Sequence, residues 1–262
     1  MQREPVRTRA VPVRVTAYGE SDAIVTLLTE DWGKIGALAR SARKSRRRFG
    51  GSLELFSLSQ VVYSTGRGGL PMLSEASQIE AFDEIRRDVL KFAHASLWVE
   101  ILSRFLPDGL SGEAGGGERK IFGLLVDCLR LLAERPPEAA AGVHAMFLAR
   151  FLGAAGIPPR LSACVRCGKA LPPEATRAAF DPAAGGIVCR ACGASGRDER
   201  RETIDVCQKA LTCGNDTDFP EPALSRAVEL LEAFACRQMD AKPNSLDFLR
   251  SLRKGDPPCP TP

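Results

Sequence analysis

Two short stretches of this 262-residue chain carry side chains with recognisable chemistry. The first is Cys164-Val165-Arg166-Cys167, answered after 21 intervening residues by Cys189-Arg190-Ala191-Cys192. A CxxC loop turns two thiolates toward one cation, and two such loops complete a tetrahedral sulfur shell. Zinc suits that shell, because a d¹⁰ ion accepts a tetrahedron without redox chemistry. Four thiolates leave no position open to a substrate, so one structural zinc ion is expected rather than a catalytic one. Gly168 and Gly193 each follow the second cysteine of a pair, where a knuckle needs backbone freedom. Four unrelated buried thiols, or an iron–sulfur cluster, are the competing assignments. The other cysteines (Cys128, Cys207, Cys213, Cys236 and Cys259) lack matched spacing, and Cys128 sits in an apolar helical pattern that reads as core.

The second stretch runs from Arg40 to Arg48. Arg40, Arg43, Lys44, Arg46, Arg47 and Arg48 place six cations in nine residues with no acid among them. Such a run repels itself unless it is solvated or neutralised. A solvated loop with no partner is the bland account, and a phosphate backbone is the functional one. Charge distribution favours the second. Residues 1–76 hold 12 Lys/Arg against 7 Asp/Glu, whereas residues 77–262 hold 24 against 25. The whole net charge of +4 therefore belongs to the N-terminal segment. Lys34 lies six residues before Arg40 in an alternating run, which puts both on one strand face. Tyr18, Trp32, Phe49 and Tyr63 lie nearby; Trp32 and Tyr63 divide evenly between core and base-stacking roles.

Enzymatic chemistry finds little support, and the chain reads as a non-enzyme. Its two histidines, His94 and His144, both fall inside helical patterns. There is no P-loop, GxSxG elbow or HExxH motif, and no carboxylate cluster of the two-metal kind. No run approaches the roughly 20 apolar residues that span a bilayer, and the N-terminus lacks a secretory apolar core. A cytoplasmic protein with reduced or metal-bound thiols is expected, with no membrane partner.

The surrounding pattern supplies the scaffold. From Val11 to about Ala76 the chain reads as five short strands, with Gly66-Arg67-Gly68-Gly69 as a hairpin turn. Five strands in about 65 residues suit an OB-fold, though periodicity alone leaves an SH3-like barrel open. Helical spacing then takes over in Glu84–Phe105, which Pro107-Asp108-Gly109 ends, and a small loop follows at Ser111–Gly117. Further helices are predicted over Arg119–Glu134 and Glu138–Ala155, and then over Thr203–Thr212, Ala223–Met239 and Ser245–Leu252. Between the two groups, Phe180, the turn Ala184-Gly185-Gly186 and Ile187-Val188 read as a ribbon hairpin. The expected class is α+β multidomain. Residues 1–78 form the barrel, 79–160 and 197–253 a helical domain, 161–196 an inserted zinc ribbon, and 254–262 a disordered Pro-rich tail.

The order of these parts resembles the RecO family of bacterial DNA repair proteins. The similarity is strongest over Tyr18-Gly-Glu-Ser-Asp-Ala-Ile-Val-Thr-Leu-Leu-Thr-Glu and Gly33-Lys-Ile-Gly-Ala-Leu-Ala-Arg. It continues through the basic run to Gly51-Ser-Leu-Glu-Leu-Phe. The resemblance implies an N-terminal OB-fold, a nucleoid-associated protein that binds single- and double-stranded DNA, and annealing of complementary strands. It further implies RecR as a partner, RecA loading onto strands coated by single-stranded DNA-binding protein (SSB), and docking of the SSB C-terminal tail on the helical domain. Lys34, Arg40, Arg43, Lys44 and Arg46–Arg48 match the family's basic barrel surface. An RNA- or transcription-associated OB/zinc-ribbon module is the alternative.

Overall fold

Residues that alternate between apolar and polar side chains bury one face of a strand, and in the first eighty positions that face turns inward. A computed structural model describes residues 4–65, 70–106, 115–193, 196–240 and 242–254, with the backbone alone for Arg46, Arg47 and Lys254. The expected turn at 66–69, the helix stop at 107–109, most of the 111–117 loop and the Pro-rich tail lie outside the described residues. By contacts the chain divides into two units, Met1–Glu134 with Ser245–Pro262, and Arg135–Asn244.

The first unit opens with β1 (Val6–Tyr18), β2 (Asp22–Thr29), β3 (Gly33–Ala39), β4 (Leu58–Ser64) and β5 (Met72–Glu80). They form a closed barrel in the order β1-β2-β3-β5-β4, an OB-like topology. Adjacent strands are antiparallel except β3 and β5, which run parallel through Leu38 with Met72 and Ala39 with Leu73. A register shift between Pro12 and Arg14 bends β1, so that one strand serves both β2 and β4. The barrel core is Val25, Leu27, Ile35, Ala37, Val61, Tyr63 and Leu73. Tyr63 is therefore core, and burial, then the nearby Asp31 carboxylate, push its phenol up to about 12.

Helices follow as α2 (Asp83–Arg87), α3 (Val89–Phe105) and α4 (Gly116–Glu134), and α8 (Asn244–Lys254) is the last helix among the described residues. The single helix expected over Glu84–Phe105 is broken at Asp88, whose extended backbone frees its carboxylate to accept from the Lys91 amide at 2.9 Å. Burial on nearly every side of α3, including Trp98 and Leu102, marks a core helix rather than a surface one. Arg130 of α4 grips Glu80 of β5 through two bonds of 3.0 and 2.6 Å, and the guanidinium holds that carboxyl below its ordinary value.

The second unit holds α5 (Ala140–Ala154), α6 (Arg201–Thr212) and α7 (Ala223–Gln238) around a three-stranded sheet. Its strands β6 (Arg177–Asp181), β7 (Gly186–Val188) and β8 (Arg197–Arg200) pair in the order β7-β6-β8. The sequence reading had the β6–β7 hairpin but not β8, whose Arg-Asp-Glu-Arg composition carries no apolar alternation. Between α5 and α7 the fully buried His144 Nε2 lies 3.3 Å from Glu232 Oε1, at 0% and 1% exposure. A polar pair sealed from water loses heavily when one member is removed, and little when both become apolar. Accordingly, Glu232→Ala is expected to cost about 3 kcal/mol in denaturant unfolding. Most of that loss should be recovered by the double change His144→Leu with Glu232→Met. An additive double mutant would mean the pair is not coupled.

Candidate nucleic-acid interface and metal centre

The segment from Arg40 to Ser57 must carry the chain from the end of β3 to the start of β4, and the basic run occupies its first half. After a turn through Arg40–Lys44 comes a one-turn helix, α1 (Arg46–Phe49). Phe49 is buried in the barrel core and pins the segment to the barrel end. The loop is also tied to the β1–β2 turn. The Arg43 amide donates to the Ser21 carbonyl at 3.0 Å, and the Ser41 amide to Asp22 Oδ1 at 2.8 Å. Asp22 is thus committed to a backbone amide of the basic loop.

Arg40, Arg43, Lys44 and Arg48 are exposed together on this loop, and among the described residues none forms an ion pair. Arg48 donates to the Arg40 carbonyl at 2.9 Å and stands 5.3 Å over the Phe49 ring, which holds the start and end of the run together. Arg46 and Arg47 share the helix, but their side chains lie outside the described residues. Lys34 is placed elsewhere. It points outward from β3, as alternation required, but its Nζ donates to the Ser103 carbonyl near the end of α3 at 2.8 Å. Of the four aromatics considered for stacking, Tyr63 and Phe49 are core, Trp32 packs against that core, and Tyr18 is exposed at 56%. Exposed cations on a fixed backbone have the chemistry to meet a row of phosphates without reading sequence.

The four cysteines come together in the second unit. All four sulfurs lie within 4.8 Å of one another, among the described residues. In the first knuckle the Cys164 amide donates to the Lys169 carbonyl at 2.8 Å, and the Gly168 amide to the Cys164 carbonyl at 2.9 Å. Gly168 and Gly193 take φ of 74° and 87°, the left-handed turn that glycine adopts without a Cβ clash. The Val165 amide donates to the Ile187 carbonyl at 2.8 Å and docks the first knuckle on the hairpin that leads to the second. Arg166 bridges them, donating to the Cys192 carbonyl at 2.6 Å. Backbone amides, that of Cys189 foremost, hold the Cys164 thiol down to about 6, whereas hydrogen bonds with Cys189 and Cys167 push Cys192 up to about 12. Four thiolates this close repel one another, and a bound cation removes that repulsion. The donor set and its spacing fit a tetrahedral metal ion with no open position. Phe180 of β6 packs edge-on against Phe234 of α7 at 6.0 Å, and Arg226 of α7 holds Glu199 of β8 at 2.8 and 2.7 Å. The sheet that carries the cysteines is thereby fixed to its helices.

Comparison with known proteins agrees on one family. Residues 1–82 match the profile described as Recombination protein O N terminal, and residues 86–247 that described as Recombination protein O C terminal. The chain is 38% identical to DNA repair protein RecO of Desulfatibacillum aliphaticivorans, covering 95% of this chain and 98% of that one. It is 36% identical to the protein of the same name from Geobacter sulfurreducens, at 95% and 98% coverage. The protein of that name from Myxococcus xanthus is 34% identical over 90% of this chain and 93% of its own. Among the described residues no helix is long and apolar enough to cross a membrane.

The metal centre makes a direct prediction. Metal analysis of the purified protein should find about one ion per chain, and Cys189→Ser should lose it. The same change should lower the melting temperature by about 5–10 °C, given the few kcal/mol at stake. A metal-free protein that melts like the parent would remove the centre from the folding account.

Proposed function

This chain belongs to the RecO family of DNA repair proteins, and on that premise we propose that it is a recombination mediator acting without chemical catalysis. It binds single- and double-stranded DNA, anneals complementary strands and, with RecR, helps load RecA onto strands coated by SSB. The observation that carries this reading is a loop fixed to a closed barrel on which Arg40, Arg43, Lys44 and Arg48 are exposed without an ion pair among the described residues. Arg40, Arg43, Lys44 and Arg46–Arg48 neutralise phosphates on two strands and lower their mutual repulsion, and base pairing supplies the rest of the free energy. Lys34 adds positive charge on the flank of the same barrel. No nucleotide is consumed in such a mechanism, in keeping with the lack of a P-loop. Tethering by SSB, through its acidic tail, brings the mediator to the strands that need it.

Zinc is the ion we assign to the four-cysteine centre, from its all-sulfur shell and paired CxxC loops. It acts as a folding clip. Cys164, Cys167, Cys189 and Cys192 hold it, and it joins two loops whose own core is small.

Annealing of complementary oligonucleotides already coated with cognate SSB tests this reading. The protein should accelerate it without nucleotide, and Arg46, Arg47 and Arg48 changed together to alanine should abolish the gain. Contact with about four to six phosphates gives a slope of log K against log salt of roughly −3 to −4 on single strands. A slope near zero sinks the phosphate mechanism. Preference for structured RNA, with no annealing, points to a different nucleic-acid module.

A further inference from the structure

Lys34 of β3 reaches the Ser103 carbonyl of α3, and between that helix and the outer face of the barrel is a half-open cavity of about 720 Å³. Its size lies within the range of about 300–1,000 Å³ typical of ligand pockets. The floor is Thr26 and Gly36, paired across the two strands. Gly36 leaves that floor bare, and a Cβ placed there would meet only a Leu70 methyl at 3.6 Å. The walls are apolar, from Val13, Leu55, Phe56, Leu70 and Val99. Phe56 sits there at φ 68°, an outlier conformation for a bulky residue, with its amide N–H donating a hydrogen bond to the Pro12 carbonyl at 3.1 Å. Its ring packs edge-on against Phe92 at 5.3 Å.

Charge in the cavity has one sign in excess. Arg14, Lys34 and Arg104 face a single carboxylate, Glu100. Glu100 is committed on both oxygens, to Arg104 at 2.6 Å and to the amide and hydroxyl of Ser245 at 2.9 and 2.5 Å. Arg14 is exposed at the mouth, with no ion pair among the described residues. The cavity thus combines an apolar interior, a free guanidinium at its entrance and the Ser96 hydroxyl in its lining. A nucleotide has the same division, an aromatic base joined to an anionic phosphate. The cavity is also within reach of a strand held by the basic loop. Gly36 is four residues from Arg40, which directly follows β3, about 13 Å at strand spacing.

We propose that this cavity receives one unstacked base of single-stranded DNA, with an adjacent phosphate on Arg14. It rests on the DNA-binding reading above and deepens it. A base locked in a duplex stack cannot enter, so the cavity favours single strands, whereas the basic loop serves both forms. The barrel therefore holds a phosphate contact blind to strandedness and a base contact that senses it.

Gly36→Val covers the bare floor of the cavity, where a base would lie, with a residue that strands accept, and its melting temperature establishes that the variant folds. Affinity for an oligothymidylate carrying one central 2-aminopurine should fall about tenfold, the loss of one base contact, with duplex affinity unchanged. In the parent protein the bound 2-aminopurine should be shielded from acrylamide quenching. That second readout stands even if Gly36→Val fails to fold. No shielding in the parent, or equal binding of both DNA forms by parent and variant, overturns the proposal. So does an acidic, apolar peptide that binds the parent and is lost in Gly36→Val while single-strand affinity is unchanged. Failure of the alanine substitutions at Arg46–Arg48 to weaken either DNA form would instead refute the basic loop, a result separable from the cavity's.

Discussion

Parallel pairing of β3 with β5 is confined to Leu38 with Met72 and Ala39 with Leu73, reinforced by the Leu38 amide on the Pro71 carbonyl at 2.8 Å. Small as it is, this contact closes the barrel and dictates the path of everything between the two strands. β4 must lie on the far side of β5, so the chain leaving β3 has to cross the barrel end before β4 can begin. A crossing segment cannot bury its backbone, so it is a natural place for polar and charged residues. Here it is pinned by one apolar residue, Phe49, and by bonds to Ser21 and Asp22. Density of charge and fixity of backbone are thereby reconciled: the cations repel one another on a loop that the barrel holds in place. In free solution the same sequence would spread to relieve that repulsion.

Much of this was legible in the residues. Strand alternation located the five barrel strands, because a closed barrel buries one face of each strand and exposes the other. The four cysteines announced their cluster by spacing alone, because a knuckle is a local structure and its ligands are near neighbours in the chain. What was not legible depended on contacts distant in sequence. Alternation correctly turned Lys34 outward, but nothing near Lys34 tells that Ser103, 69 residues on, would be waiting there. Asp22 lies at the turn after β1 and the basic run follows β3, 18 residues or more along the chain. The fold joins those loops, and Asp22 accepts a backbone amide of the basic segment.

The missed elements share a cause. β8 is four residues long and polar, and it exists because β6 offers an open edge and Arg226 awaits Glu199. The break at Asp88 interrupts an apolar pattern that periodicity reads straight through; a capping side chain acts over three residues, below the length at which a period can be counted. The helices expected to form one domain also divide between two units. α3 and α4 pack in the unit that holds the barrel, whereas α5, α6 and α7 pack in the unit that holds the ribbon. Amphipathic spacing shows that a helix has an inner face, but not which neighbour covers it.

The placement of α3 sets what the barrel can do. An OB-fold commonly offers the outer face of its second and third strands to a ligand. Here that face is partly roofed; Lys34 ties α3 to the barrel through the Ser103 carbonyl, and Glu100 ties α3 to α8 through Ser245. An open groove tracks a strand by its backbone and is indifferent to how its bases are arranged. A roofed face admits only what can be inserted edge-first, and insertion demands that a base first leave its stack. The exposed loop and the roofed face therefore ask different questions of the same polymer. Salt weakens the loop's hold, because each phosphate contact displaces counterions, whereas an apolar enclosure is far less sensitive to it. On the annealing role proposed above, keeping these functions apart is an advantage, with a screened, reversible contact for holding and a steric one for telling single strand from double.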